Sequence, residues 1–145
     1  MHTLITPPQV PYPPRYIIDP VAFFIALIGG PLLFTALSFW VLLIPVFALI
    51  LGGPVYLVVG TPILLWYLRD HDGDPIDLAV LGLIAMGCVG LLVPLAAAFT
   101  GDGDLLASGL ILSGFGMIFA MAWAYCFGRI YQHLRRDFFA KPRRM

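Results

Sequence analysis

Long apolar runs broken by short polar segments dominate this chain. No charged residue occurs between Pro20 and Leu68, and polar connectors then follow at 69–77 (Arg69-Asp70-His71-Asp72-Gly73-Asp74-Pro75-Ile76-Asp77) and at 100–104 (Thr100-Gly101-Asp102-Gly103-Asp104). A bilayer hydrocarbon core of about 30 Å takes about 20 helical residues per crossing, so the pattern predicts helices at about 20–39, 44–68, 76–99 and 105–128. The first uncharged stretch is too long for one crossing and barely long enough for two, which places a very tight turn near Trp40. A broken or re-entrant segment within 20–68 is the alternative, because Gly29-Gly30-Pro31 recurs as Gly52-Gly53-Pro54 and Gly60-Thr61-Pro62 follows. Each proline removes a helix hydrogen bond and invites a kink. The expected fold is an all-α integral membrane protein with about four transmembrane helices arranged as two antiparallel hairpins.

The flanks differ from this domain. Residues 1–19 carry Pro7, Pro8, Pro11, Pro13 and Pro14 around Tyr12, and so many missing amide donors favour an extended polyproline II head. It serves either as a docking strand or as a stiff lead-in on the membrane surface. Because the first apolar run begins only after this head and exceeds the usual length of a signal-peptide core, no cleaved secretory signal is expected. Residues 129–145 form a basic tail in which Ile130, Leu134 and Phe138 recur every four positions, an amphipathic continuation of the fourth helix.

Composition sharpens the picture. The chain is 61% apolar and only 11% charged, whereas about a quarter of the residues of a soluble domain carry charge. Its eight basic and eight acidic residues cancel, but they are segregated. Arg15, Arg69, Arg129, Arg135, Arg136, Lys141, Arg143 and Arg144 all fall on the side shared by both termini and the middle connector. The positive-inside rule therefore puts the N and C termini in the cytoplasm, and the distribution fits a bacterial inner membrane. Trp40 is expected at the outer interface, with Trp66 and Tyr67 at the inner one.

Candidate chemistry is sparse. Asp70, Asp72, Asp74 and Asp77 beside His71 invite a calcium-loop reading, but the sixth and twelfth positions from Asp70 are Pro75 and Leu81 rather than glycine and glutamate. Helix capping by Asp74 ahead of Pro75 accounts for the cluster more simply, and the same grammar appears at Asp19-Pro20 and at Asp104. His2, His71 and His133 lie outside the spans, which leaves no imidazole at membrane depth for a haem or pigment. No Asp, Glu, Lys or Arg falls within the hydrocarbon, so neither a proton relay nor a charge-lined channel is expected. Ser108, Ser113, Cys88 and Cys126 have no activating base at that depth. No catalytic residue, metal ligand or cofactor site is assigned.

The strongest constellation is structural. Gly109, Ser113, Gly116, Ala120, Ala124 and Gly128 recur every three or four residues along the fourth helix, and small residues let backbones approach where lipid supplies no hydrophobic drive. This face packs either on the third helix, which offers Gly82, Gly87 and Gly90, or on another membrane protein. The basic residues Arg129, Arg135, Arg136, Lys141, Arg143 and Arg144 suit anionic headgroups or an acidic partner surface, at about 1 kcal/mol each near a membrane. The expected function is a non-catalytic accessory or scaffold subunit, not an enzyme, that packs against a larger membrane complex through helix faces and cytoplasmic tails. Its partners would be other integral membrane proteins and lipids, with no nucleic acid. The alternative is a small transporter or pore for a neutral solute, with Gly29, Gly30, Pro31, Gly52, Gly53 and Pro54 as helix breaks lining a midplane site.

Overall fold

The structure, a computed structural model, describes residues 18–40 and 44–135. The Pro-rich head up to residue 17, and Arg136, Lys141, Arg143 and Arg144 in the tail, lie outside the described residues. Helix α1 spans Pro20–Leu37, α2 Ile44–Leu68, α3 Pro75–Thr100 and α4 Gly103–Leu134. All four are long and apolar enough to cross a membrane, as a multi-pass membrane protein requires, and no strand occurs among the described residues.

Aspartates open three of the four helices. Asp19 accepts from the Val21 and Ala22 amides at 3.0 and 3.3 Å, with Pro20 in the first helical position. Asp74 accepts from Ile76 N–H at 2.8 Å, with Pro75 next and Asp77 in the first turn. Each such cap satisfies donors that the helix start leaves bare. At α4 the cap is Asp102 rather than Asp104: its carboxylate takes the Asp104 and Leu105 amides at 3.1 and 3.0 Å. Asp104 instead sits inside the first turn, where its charge meets the positive helix end.

The prolines leave smaller marks than a break. α1 runs through Gly29, Gly30 and Pro31 uninterrupted, and α2 likewise runs through Gly52, Gly53 and Pro54. The helix of α2 changes its pairing one turn later, in a π turn at Tyr56–Gly60 just before Pro62. Widening the helix there keeps the proline ring off the preceding turn, to which it has no N–H to return. In α3 the regular pattern lapses at Leu91. Pro94 has no N–H for the Gly90 carbonyl, and Ser113 Oγ of α4 donates to that carbonyl instead. The Gly109 carbonyl lies 2.6 Å from the same hydroxyl, so one proton is shared between two helices.

Helix α4 is the axis of the molecule. Along α3 from Pro75 to Pro94, the partner on α4 falls steadily from Gly128 to Gly109. A Cβ at Gly128 would lie 2.7 Å from Pro75 Cα, one at Gly82 would lie 2.8 Å from the Ala120 carbonyl oxygen, and one at Gly109 would lie 3.1 Å from Pro94 N. The α1 face formed by Ala22, Phe23, Ala26, Leu27, Gly30 and Pro31 packs on a neighbouring face of α4, with Phe23 edge-on to Phe127 at 5.4 Å.

All four helices converge at the end where α1 begins and α4 finishes. Ala22, Phe23, Ala26, Leu27, Leu64, Leu68, Leu78, Ala124, Phe127 and Tyr131 form the buried core there. The connector between α2 and α3 closes over it. Gly73 adopts φ +74°, where a Cβ would strike Leu68 Cδ2 at 2.8 Å, and Arg135 pairs with Asp72 at 2.5 Å. Towards the other end α2 stands apart: of its 25 residues only Pro45, Leu64 and Leu68 are buried.

Candidate functional site

The gap between α2 and α3, floored by α4, is a groove of about 800 Å³. That volume lies within the range of about 300–1,000 Å³ typical of small-molecule sites. It runs from Ile44, Val89 and Ser108 at the splayed end to Leu64, Leu81 and Ala124 near the core, and it opens sideways between the two helices. Phe47, Leu51 and Val59 form one wall, Ala85 and Met86 the other, and Leu112, Phe115 and Phe119 the floor. Among the described residues no Asp, Glu, Lys, Arg, His or Cys lines it, and Tyr56, Trp123 and Ser108 supply its side-chain oxygen and nitrogen atoms.

Tyr56 and Trp123 mark the middle of the groove. Their rings meet edge to face at 5.5 Å and 82°, and Phe119 tilts against Trp123 at 6.1 Å. One glycine of each Gly-Gly-Pro motif lies against Trp123. Gly30 of α1 lies against the Trp123 carbonyl and the Phe127 amide, where a Cβ would come within 3.0 Å of either. Gly52 of α2 lies against the edge of the indole, a Cβ there meeting Cη2 at 3.4 Å. Gly30 is thus held closely against the α4 backbone, whereas a side chain at Gly52 would make ordinary contact with the ring. Trp123 is 2% exposed, yet neither its Nε1 nor the Tyr56 hydroxyl has a hydrogen-bond partner among the described residues. A buried donor left in this state costs about 1–3 kcal/mol.

Other residues singled out from the sequence fall elsewhere. Gly109, Ser113, Gly116, Ala120, Ala124 and Gly128 face α3. Gly116 meets only the flexible end of Met86, and the edge of that face, Gly116, Ala120 and Ala124, reaches the groove floor. Asp70, Asp72, Asp74 and Asp77 diverge into separate roles. Asp72 engages Arg135, Asp74 caps α3 and Asp77 lies in its first turn, while Asp70 is exposed. His71 stacks on Tyr67 at 4.1 Å and donates from Nδ1 to the Tyr67 carbonyl at 3.1 Å. Among the basic residues, Arg129 is exposed and Ile130 beside it packs on Gly29 of α1.

Tyr56 and Trp123 were not singled out by the pattern. The available signal was depth: Trp40 and Trp66 sit near span ends, where indoles prefer to be, whereas Trp123 lies well inside one. No family model matches this chain, and neither a curated protein nor a solved structure matches it.

Proposed function

We propose that this chain is a non-catalytic accessory or scaffold subunit of a larger membrane complex. In this reading it holds a lipid-soluble molecule in the groove between α2 and α3. The observation that carries the reading is the groove itself: about 800 Å³, open rather than enclosed, and, among the described residues, without a carboxylate, a basic side chain or a thiol along its lining. Such a surface binds and positions; it offers nothing to move a proton or attack a bond. The small residues of α4 are engaged by α3, which leaves partner contact to the outward faces of α1 and α3 and to the tails. Phe24 and Ile28 on α1, and Ile84 and Leu91 on α3, are more than half exposed.

The proposal includes orientation. The one-sided placement of basic residues supports two antiparallel hairpins with both termini in the cytoplasm, and it fits a bacterial inner membrane. In a background lacking Cys88 and Cys126, Asp102→Cys and Arg143→Cys are expected to react with an impermeant maleimide from opposite sides of the membrane. Labelling from one side alone would remove the even-span topology.

Purification in mild detergent from cells expressing the chain at its native level, followed by mass spectrometry, tests the assignment. Recovery with other integral membrane proteins and an extractable apolar small molecule is the expected outcome. A lone monomer with neither would refute it.

A further inference from the structure

We infer that the groove takes an uncharged carbonyl compound of the quinone class, a flat ring on an apolar tail, whose carbonyl oxygen accepts hydrogen bonds from Tyr56 Oη and Trp123 Nε1. This rests on the reading of the groove as a ligand seat and adds which chemistry fills it.

Three observations select that chemistry. The first is polarity. Two buried donors that have no acceptor among the described residues, one on a residue 2% exposed, belong to rings that meet at 5.5 Å in a lining that is otherwise apolar but for Ser108. Their missing complement is an acceptor, and a carbonyl presents two lone pairs to two donors. The second is charge. Among the described residues no ionisable side chain other than Tyr56 lines the groove, so the ring that enters is neutral. The third is depth. Tyr56 lies midway along α2, about 18 Å from either end at a rise of 1.5 Å per residue. The ester carbonyls of glycerolipids stay at the edge of a hydrocarbon core about 30 Å thick, so they do not reach the pair. A neutral ring carried wholly within the hydrocarbon does.

The groove wall suits such an entry. Helix α2 is anchored by Leu64 and Leu68 in the core, while from Ile44 to Val55 only Pro45 is buried. The π turn that carries Tyr56 lies between these two parts. Outward movement of the loosely held part uncovers the donors, and an aromatic ring entering there meets the edges of Phe119 and Trp123.

The test uses the full chain in detergent with Trp40→Phe and Trp66→Phe, so that Trp123 alone reports. Decylubiquinone is the probe and quenching of indole fluorescence the signal. Saturable quenching is expected, weakened about fivefold by Tyr56→Phe, the loss of one hydrogen bond. Ala85→Phe, which fills the groove from α3, abolishes saturation. Without ligand, Tyr56→Phe unfolds no earlier than the parent, because the hydroxyl it deletes was unpaired. Quenching that rises linearly without saturating would overturn the proposal, as would unchanged affinity in Tyr56→Phe. Displacement of the probe by a saturated alkane as readily as by unlabelled quinone would sink the carbonyl assignment while leaving the groove as a ligand seat. Equal displacement by dioleoylphosphatidylglycerol would assign the site to bulk lipid.

Discussion

Leucine at Gly82 is expected to separate α3 from α4 and to abolish the cooperative unfolding transition of the protein in detergent. A Cβ there already lies 2.8 Å from the Ala120 carbonyl oxygen and 3.0 Å from Ala124 Cβ. Backbone cannot rotate away as a side chain does, so the two helices must move apart. Overpacking by even a methylene or two costs about 1–3 kcal/mol in a tight interior. Within lipid, where apolar surfaces gain nothing by leaving the solvent, close contact is most of what holds the pair together. Two other glycines on α4 calibrate the result. Gly114→Leu, with nothing within 4 Å, is expected to unfold as the parent does, and Gly116→Ala only needs the end of Met86 to swing aside. Circular dichroism during thermal unfolding reads all three. Parent-like unfolding of Gly82→Leu would show that the α3–α4 contact is not the main seam.

Phe127→Ala is the second substitution with a large expected effect, a loss of about 3 kcal/mol, at the lower end of the range for deleting a buried aromatic ring. Phe127 is fully buried, stacked parallel on Tyr131 at 5.7 Å and edge-on to Phe23. In a soluble protein part of the cost is transfer of the ring from water. Here what is lost is contact with α1, α2 and α3 side chains in the core, and the four converging helices keep an acyl chain from refilling the space. Phe99→Ala, at a residue 85% exposed near the opposite end, removes the same ring without opening a cavity. The difference between the two in unfolding free energy measures the core alone, and a difference near zero would refute the sealed core.

The number and placement of the helices were legible in the residues because lipid imposes a length on every apolar run. The expected spans at about 44–68 and 76–99 differ from the observed Ile44–Leu68 and Pro75–Thr100 by a residue at most at any end. The uncharged stretch that left room for a re-entrant segment holds two whole helices, because a proline inside a helix costs hydrogen bonds without forcing the chain to turn back. Less legible was the start of α4: of two aspartates separated by one residue either can cap, and only the path of the chain at Gly101, with φ +73°, selects Asp102. The continuation of the fourth helix past residue 128 was legible in the spacing of Ile130 and Leu134, and the helix runs to Leu134 with Tyr131 buried in the core.

The candidate groove was the least legible part. It arises from what α2 fails to contact, and a hydropathy pattern registers apolar surface without saying whether protein or lipid covers it. The Gly-Gly-Pro recurrence was visible, but what each glycine meets, the α4 backbone at Gly30 and the edge of the Trp123 indole at Gly52, needs the relative rotation of three helices. Trp123 held the clue in its depth alone.

The exchange at Gly90, Pro94 and Ser113 bears on how the chain enters the bilayer. By itself, α3 would bring into hydrocarbon a carbonyl that its own proline has stripped of a donor, and an unpaired backbone group there costs several kcal/mol. The donor is in the next helix, which follows after only Gly101 and Asp102. Paired with α4, α3 brings that carbonyl into the hydrocarbon already satisfied by the seryl hydroxyl, so the two helices are better suited to lipid together than α3 is alone.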